Sequence, residues 1–111
     1  MNILKTLIAT STLLLMTAPA SAGGDAERGK ELSTTCAACH GTDGNSPNPM
    51  YPILAGQYED YLVHSLKAYK SGDRQNAIMA GFAASLSEQD MEDLAAYFAS
   101  QDSKLSILPE K

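Results

Sequence analysis

An all-α fold of one small domain is predicted by three observations. Three stretches, 25–36, 58–71 and 87–98, carry apolar residues at helical spacing and are bounded by residues suited to helix ends. The pentapeptide Cys36-Ala37-Ala38-Cys39-His40 reads as the turn that closes the first stretch, and no strand pattern surrounds it. Between the first and second stretches, turn-forming residues are packed too densely for regular structure.

The chain opens on a segment that reads as an export signal, residues 1–22. Lys5 supplies a thin positive region, Leu7 to Met16 is apolar apart from small hydroxyl residues, and Ala20-Ser21-Ala22 fits an A-x-A cleavage site. The apolar run is short of the ~20 residues a bilayer-spanning helix needs, so cleavage is expected rather than anchoring. Removing 22 of 111 residues leaves 89, divided into a domain at 23–101 and a tail at 102–111. The signal takes one of the 8 basic residues and none of the 13 acidic ones, which puts the mature formal charge at −6. That balance disfavours nucleic acid and anionic lipid as partners, and no stable membrane insertion is expected after cleavage.

Gly24-Asp25 can start the first helix, with Glu27 in its first turn and Ala26, Gly29, Leu32, Ser33 and Cys36 near one face. Gly29 costs about 1 kcal/mol against alanine inside a helix, which close crossing by another helix would explain, the alternative being simple tolerance. From Gly41 to Gln57 the chain is loop, rich in glycine, asparagine and proline. A second helix runs from about Tyr58 to Ser71, with Tyr58, Tyr61, Leu62, Ser65, Leu66 and Tyr69 on one face and Gly72 as its stop. His64 lies at the edge of that face and suits a surface or packing role, the alternative being iron ligation. The third helix begins at Ser87, which forms a capping box with Asp90 and a staple between Leu86 and Met91; Met91, Leu94, Ala95 and Phe98 line one side. Tyr97 and Phe98 carry the bulk to pack on Gly29. Lys67, Lys70 and Arg74 stand against Glu88, Asp90, Glu92 and Asp93, a pattern that suits a surface dipole or, more simply, ordinary helix-end charge.

Two cysteines two residues apart, followed at once by histidine, match the signature for covalent haem attachment. On one turn Cys36 and Cys39 can reach the two vinyl groups of a porphyrin as thioethers while His40 comes up beneath the iron. The same cysteine pair could be a redox dithiol, half a zinc site or a disulfide. A thioredoxin-type dithiol expects a preceding strand, and zinc expects further ligands, whereas the chain has only 2 Cys and 2 His. Within the loop, the carbonyl of Pro52 is a candidate acceptor for the imidazole N–H, the alternative being that Pro52 only stiffens the loop. A second axial position then needs a ligand. Met79 in the 73–86 connection, Met50 in the loop and Met91 in the third helix are the candidates, and core filling is the ordinary use of any methionine. A thioether there favours ferrous iron and closes the site against dioxygen.

The segment from Gly24 to Gln101 resembles a class I c-type cytochrome, most closely one half of the dihaem cytochrome c4 group or the related small monohaem carriers. The matching text includes Gly24-Asp25-Ala26, Gly29-Lys30, Cys36-Ala37-Ala38-Cys39-His40-Gly41, Asp43-Gly44-Asn45-Ser46-Pro47, Pro52-Ile53-Leu54-Ala55-Gly56-Gln57, Ile78-Met79 and Leu86-Ser87-Glu88-Gln89-Asp90, with Asp93-Leu94-Ala95-Ala96-Tyr97-Phe98. The resemblance implies a small cytochrome c fold, three main helices and loops wrapped around one covalent haem c. It implies Cys36 and Cys39 as thioether attachments, His40 as proximal ligand, Met79 as distal ligand, the Pro52 carbonyl as partner of the His40 ring, and a crossing of the first and third helices at Gly29. With one haem motif the two-haem relay of the dihaem proteins does not carry over, and the apolar tail after Gln101 leaves open a covering role or a homodimer contact.

The function expected is a periplasmic one-electron carrier, not an enzyme, that docks transiently on redox partners at the haem edge. Two competitors are a haem-based sensor or peroxidase-like protein with a labile distal position, and a fixed subunit of a larger respiratory complex. The apolar surroundings of Met79 argue against the first.

Overall fold

The computed structural model describes residues 23–105, so the signal segment and the Ile107-Leu108-Pro109 part of the tail lie outside the described residues. Among the described residues there are five α-helices: α1 Ala26–Leu32, α2 Ala37–His40, α3 Glu59–Ser71, α4 Ala77–Ala83 and α5 Glu88–Ala99, with a 3-10 turn at Ser33–Thr35 joining α1 to α2. No strand occurs among the described residues, and no helix among them is long and apolar enough to cross a membrane.

Three helices, α1, α4 and α5, start where the sequence offers a side-chain acceptor for free N–H groups. Asp25 caps α1, its carboxylate accepting from the Glu27 and Arg28 amides at 2.9 and 3.2 Å. Ser87 and Asp90 form the full capping box of α5, each side chain accepting from the other's backbone N–H at 3.0 and 2.9 Å. Replacing Ser87 with alanine is expected to lower stability by about 1 kcal/mol, read as a shift in the denaturant midpoint with unchanged slope. α3 ends on Gly72, whose φ of 86° is the left-handed conformation that lets its N–H return to the Ala68 carbonyl.

The core forms where α1 and α3 pack against α5. Leu62, Leu94, Ala95, Tyr97 and Phe98 are buried together, flanked by Leu32, Cys36, Leu54, Val63 and Leu66. Gly29 lies at the α1–α5 crossing: a Cβ there would sit 1.9 Å from the Asp93 carbonyl oxygen and 2.9 Å from the Tyr97 Cβ. Tyr97 therefore meets Gly29, while Phe98 packs on Gly44 of the loop. The loop is tied to α5 by polar bonds, Tyr97 Oη donating to the Thr42 carbonyl at 2.7 Å and Gly56 N–H to the Phe98 carbonyl at 3.0 Å. Asn45 holds the start of the tail, donating to the Asp102 carbonyl and accepting from the Lys104 N–H.

The 73–86 connection, to which the sequence assigned no element, holds the two-turn helix α4 capped by Asn76. The buried stripe of α3 is narrower than expected, with Leu62 and Ser65 buried while Tyr58 and Tyr61 stand out in solvent at 82% and 48% exposure. The charge clusters follow the simpler of the two readings, with Lys67 paired with Glu88 at 2.9 Å and Asp93 buried against Arg28.

Candidate haem site

The site begins where helical hydrogen bonding tightens after Leu32. The 3-10 turn delivers Cys36 with its N–H on the Ser33 carbonyl, and the Cys36 carbonyl then accepts from both Cys39 and His40. Gly41, at φ 82°, ends the turn and turns the chain into the loop. Cys36, Cys39 and His40 are thus fixed on four consecutive peptide units.

Both thiols are free and half-buried. Burial pushes the Cys36 thiol up from its ordinary value, against a smaller downward pull from the Thr35 hydroxyl 3.9 Å away. A reactive dithiol of the oxidoreductase kind needs the opposite, a thiolate stabilised near neutrality. Among the described residues no three His, Cys, Asp or Glu side chains converge in a metal-binding group, so a zinc site finds no further ligands.

His40 is buried, and its Nδ1 lies 2.9 Å from the Pro52 carbonyl oxygen. A carbonyl only accepts, so Nδ1 carries the proton and Nε2 presents its lone pair. Nε2 has no hydrogen-bond partner among the described residues. Tyr51 packs edge-on to the ring, with centroids 6.3 Å apart. An orienting carbonyl behind an imidazole whose other nitrogen is bare is the arrangement of a ligating histidine.

The three methionines differ in placement. Met50 is 81% exposed in the loop, and Met91 is 1% exposed in the packed side of α5, where its thioether fills core. Met79 is half-buried on α4, which packs against α3. The turn and the loop thus bring Cys36, Cys39, His40 and Pro52 together, whereas Met79 arrives on a separate element. A cleft of about 450 Å³ runs between Leu32 and Thr35 on one side and Phe82 and Leu86 on the other; Cys36, Cys39, His40 and Met79 do not line it. Ile78 and Phe82 leave apolar surface uncovered on α4, at 60% and 49% exposure. Two thiols and a carbonyl-oriented imidazole on one turn fit a covalently held haem.

Sequence reasoning passed over Tyr51, Phe82 and Asn76 here. Asn76 alone carried a local signal, being a strong N-cap type two residues before Ile78.

Comparison with known proteins agrees with this chemistry. The Cytochrome c family matches residues 26–102. Cytochrome c4 of Pseudomonas aeruginosa is 47% identical over 103 residues, covering 93% of this chain and 50% of that protein. Cytochrome c-554(548) of Halomonas halodenitrificans is 48% identical over 82 residues, covering 71% of this chain and 99% of that one. The crystal structure of reduced recombinant cytochrome c4 from Pseudomonas stutzeri superposes with a TM-score of 0.70 at 46% identity, over 74% of this chain and 48% of that chain. The chain thus spans about half the length of the cytochrome c4 relatives it matches. It belongs to the cytochrome c family, as a class I c-type cytochrome of the cytochrome c4 group, and covalently bound haem c is its cofactor.

Proposed function

We propose that the mature protein is a periplasmic one-electron carrier with histidine and methionine as axial ligands. The observation that carries this is the Pro52–His40 bond, which orients the His40 imidazole on the same turn as Cys36 and Cys39. Bound haem c supplies an iron that alternates between ferric and ferrous by one electron. Cys36 and Cys39 would hold it through thioethers. His40 donates from Nε2, and the Pro52 carbonyl, by accepting the Nδ1 proton, fixes the ring and makes it the stronger donor. Met79 would give the soft distal ligand.

With both axial positions filled by side chains, oxidation and reduction require neither binding nor release of an outside ligand, which suits electron carriage and not catalysis. Partner proteins dock weakly and transiently at the haem edge, leaving the carrier free to exchange. Residues 1–22 direct export, residues 23–101 form the electron-carrying domain, and residues 102–111 form a tail.

Carbon monoxide binding to the reduced, haem-loaded protein tests the ligand set. Wild type and Met50→Ala are expected to bind it slowly, and Met79→Ala at least about tenfold faster, as removal of a bond worth ~1.4 kcal/mol or more requires. Ready binding by wild type would instead indicate a labile distal position and a sensor or peroxidase-like protein.

A further inference from the structure

The segment that carries Met79 is held in an unusual way for a ligand-bearing element. From Ser71 to Ile78 every residue is exposed, and within α4 only Ala83 is buried. No buried apolar side chain anchors the approach to Met79, so its position depends on polar contacts to α3 and on its own cap.

Those contacts are specific. The Arg74 N–H shares the Ala68 carbonyl with the N–H of Gly72, which pins the backbone to the end of α3. The Arg74 guanidinium then turns back along α3, Nη1 donating at 3.4 Å to both the Tyr61 hydroxyl and Ser65 Oγ, with its carbon 4.9 Å above the centre of the Tyr69 ring. Two residues on, the Asn76 carboxamide oxygen accepts from the backbone N–H groups of Ile78 and of Met79 itself, at 3.1 and 3.0 Å. The cap of α4 therefore bonds directly to the peptide unit of the distal methionine.

We infer that Asn76 and Arg74 are positioning residues for Met79: the Asn76 cap fixes the Met79 backbone, the Arg74 clamp on Tyr61, Ser65 and Tyr69 fixes the cap, and together they keep the distal position shut. The inference rests on the assignment of Met79 as distal ligand. It separates closure of the site from stability of the domain, since the core of α1, α3 and α5 uses neither residue.

The test measures carbon monoxide association to the reduced, haem-loaded protein alongside amide hydrogen exchange. Asn76→Ala and Arg74→Gln are expected to speed association about fivefold to tenfold, the range that corresponds to losing one cap. Asn76→Ser retains a capping oxygen and is expected to stay within about twofold of wild type. Exchange of the Met79 amide should rise with association in Asn76→Ala, while amides in α5 keep their protection. If Met79→Ala is fast but Asn76→Ala and Arg74→Gln match wild type, the positioning role is overturned and the ligand assignment stands. An equal loss of protection in α5 overturns it as well, because the effect would then be global. If Met79→Ala itself matches wild type, the ligand assignment falls and takes the inference with it.

Discussion

Gly29→Ala is expected to destabilise the domain by about 3 kcal/mol, at the upper end of what an inserted methyl group costs in a packed interior. The added carbon would sit 1.9 Å from the Asp93 carbonyl oxygen and 2.5 Å from its carbon. Both are backbone atoms in the middle of α5, so no side-chain rotation can make room. α1 would have to move away from α5, loosening the Tyr97 contact and the bond from the Asp25 N–H to the Asp93 carboxylate at 2.7 Å. Alanine's better helix propensity works the other way by about 1 kcal/mol and is outweighed. In a domain of this size the loss corresponds to a fall in Tm of more than about 10 °C, measurable by thermal or denaturant unfolding. An unchanged midpoint would mean that the two helices do not touch at this position.

How far the sequence revealed this architecture depended on whether the deciding contacts were local. Ser87 and Asp90 are three residues apart, and both halves of the predicted box are made. Gly72 stops α3 as its position suggested, and the dense turn formers of 41–57 hold no helix or strand. α4 went unseen because seven residues with Ala83 alone buried and Gly81 inside give periodicity little to register. Tyr58 and Tyr61 were grouped with the buried face because they are large and correctly spaced, but spacing does not tell how wide a stripe the neighbouring helix covers.

The site shows the same division. Cys36, Cys39 and His40 are adjacent in sequence, and Pro52 is only twelve residues beyond His40, so their chemistry was readable before any tertiary contact was known. Met79 was singled out by family resemblance, because spacing alone did not choose among three methionines. The structure separates them by burial: Met50 lies in solvent, Met91 in the core and Met79 between the two. Asp93 was the least legible residue of all. In sequence it belongs to an acidic cluster, and its burial depends on Arg28, 65 positions earlier.

Asp93→Ala is accordingly expected to cost about 3 kcal/mol, from loss of several hydrogen bonds to a charged acceptor. The Asp93 side chain is 1% exposed and accepts from the Asp25 N–H at 2.7 Å, from Gln89 Nε2 at 2.9 Å and from the Arg28 guanidinium. Arg28 is half exposed and bonds also to Asp90, so its charge returns to water and the pair is not a sealed one. The cost therefore falls on the hydrogen bonds at the start of α1. Burial alone would push the Asp93 carboxyl up, but the Asp25 N–H, the Gln89 amide and Arg28 together hold it below the usual carboxylate range. A carboxyl with a lower pKa in the folded state stabilises that state fully above its unfolded value, about pH 4, and loses the contribution as pH falls through the folded value. Wild-type stability is expected to drop on acidification below about pH 4, and the drop to be shallower in Asp93→Asn, which has no charge to lose. Denaturant unfolding of both proteins from pH 7 to pH 2 measures this, and parallel acid limbs would show that the carboxylate at the α1–α5 crossing contributes nothing as an ion.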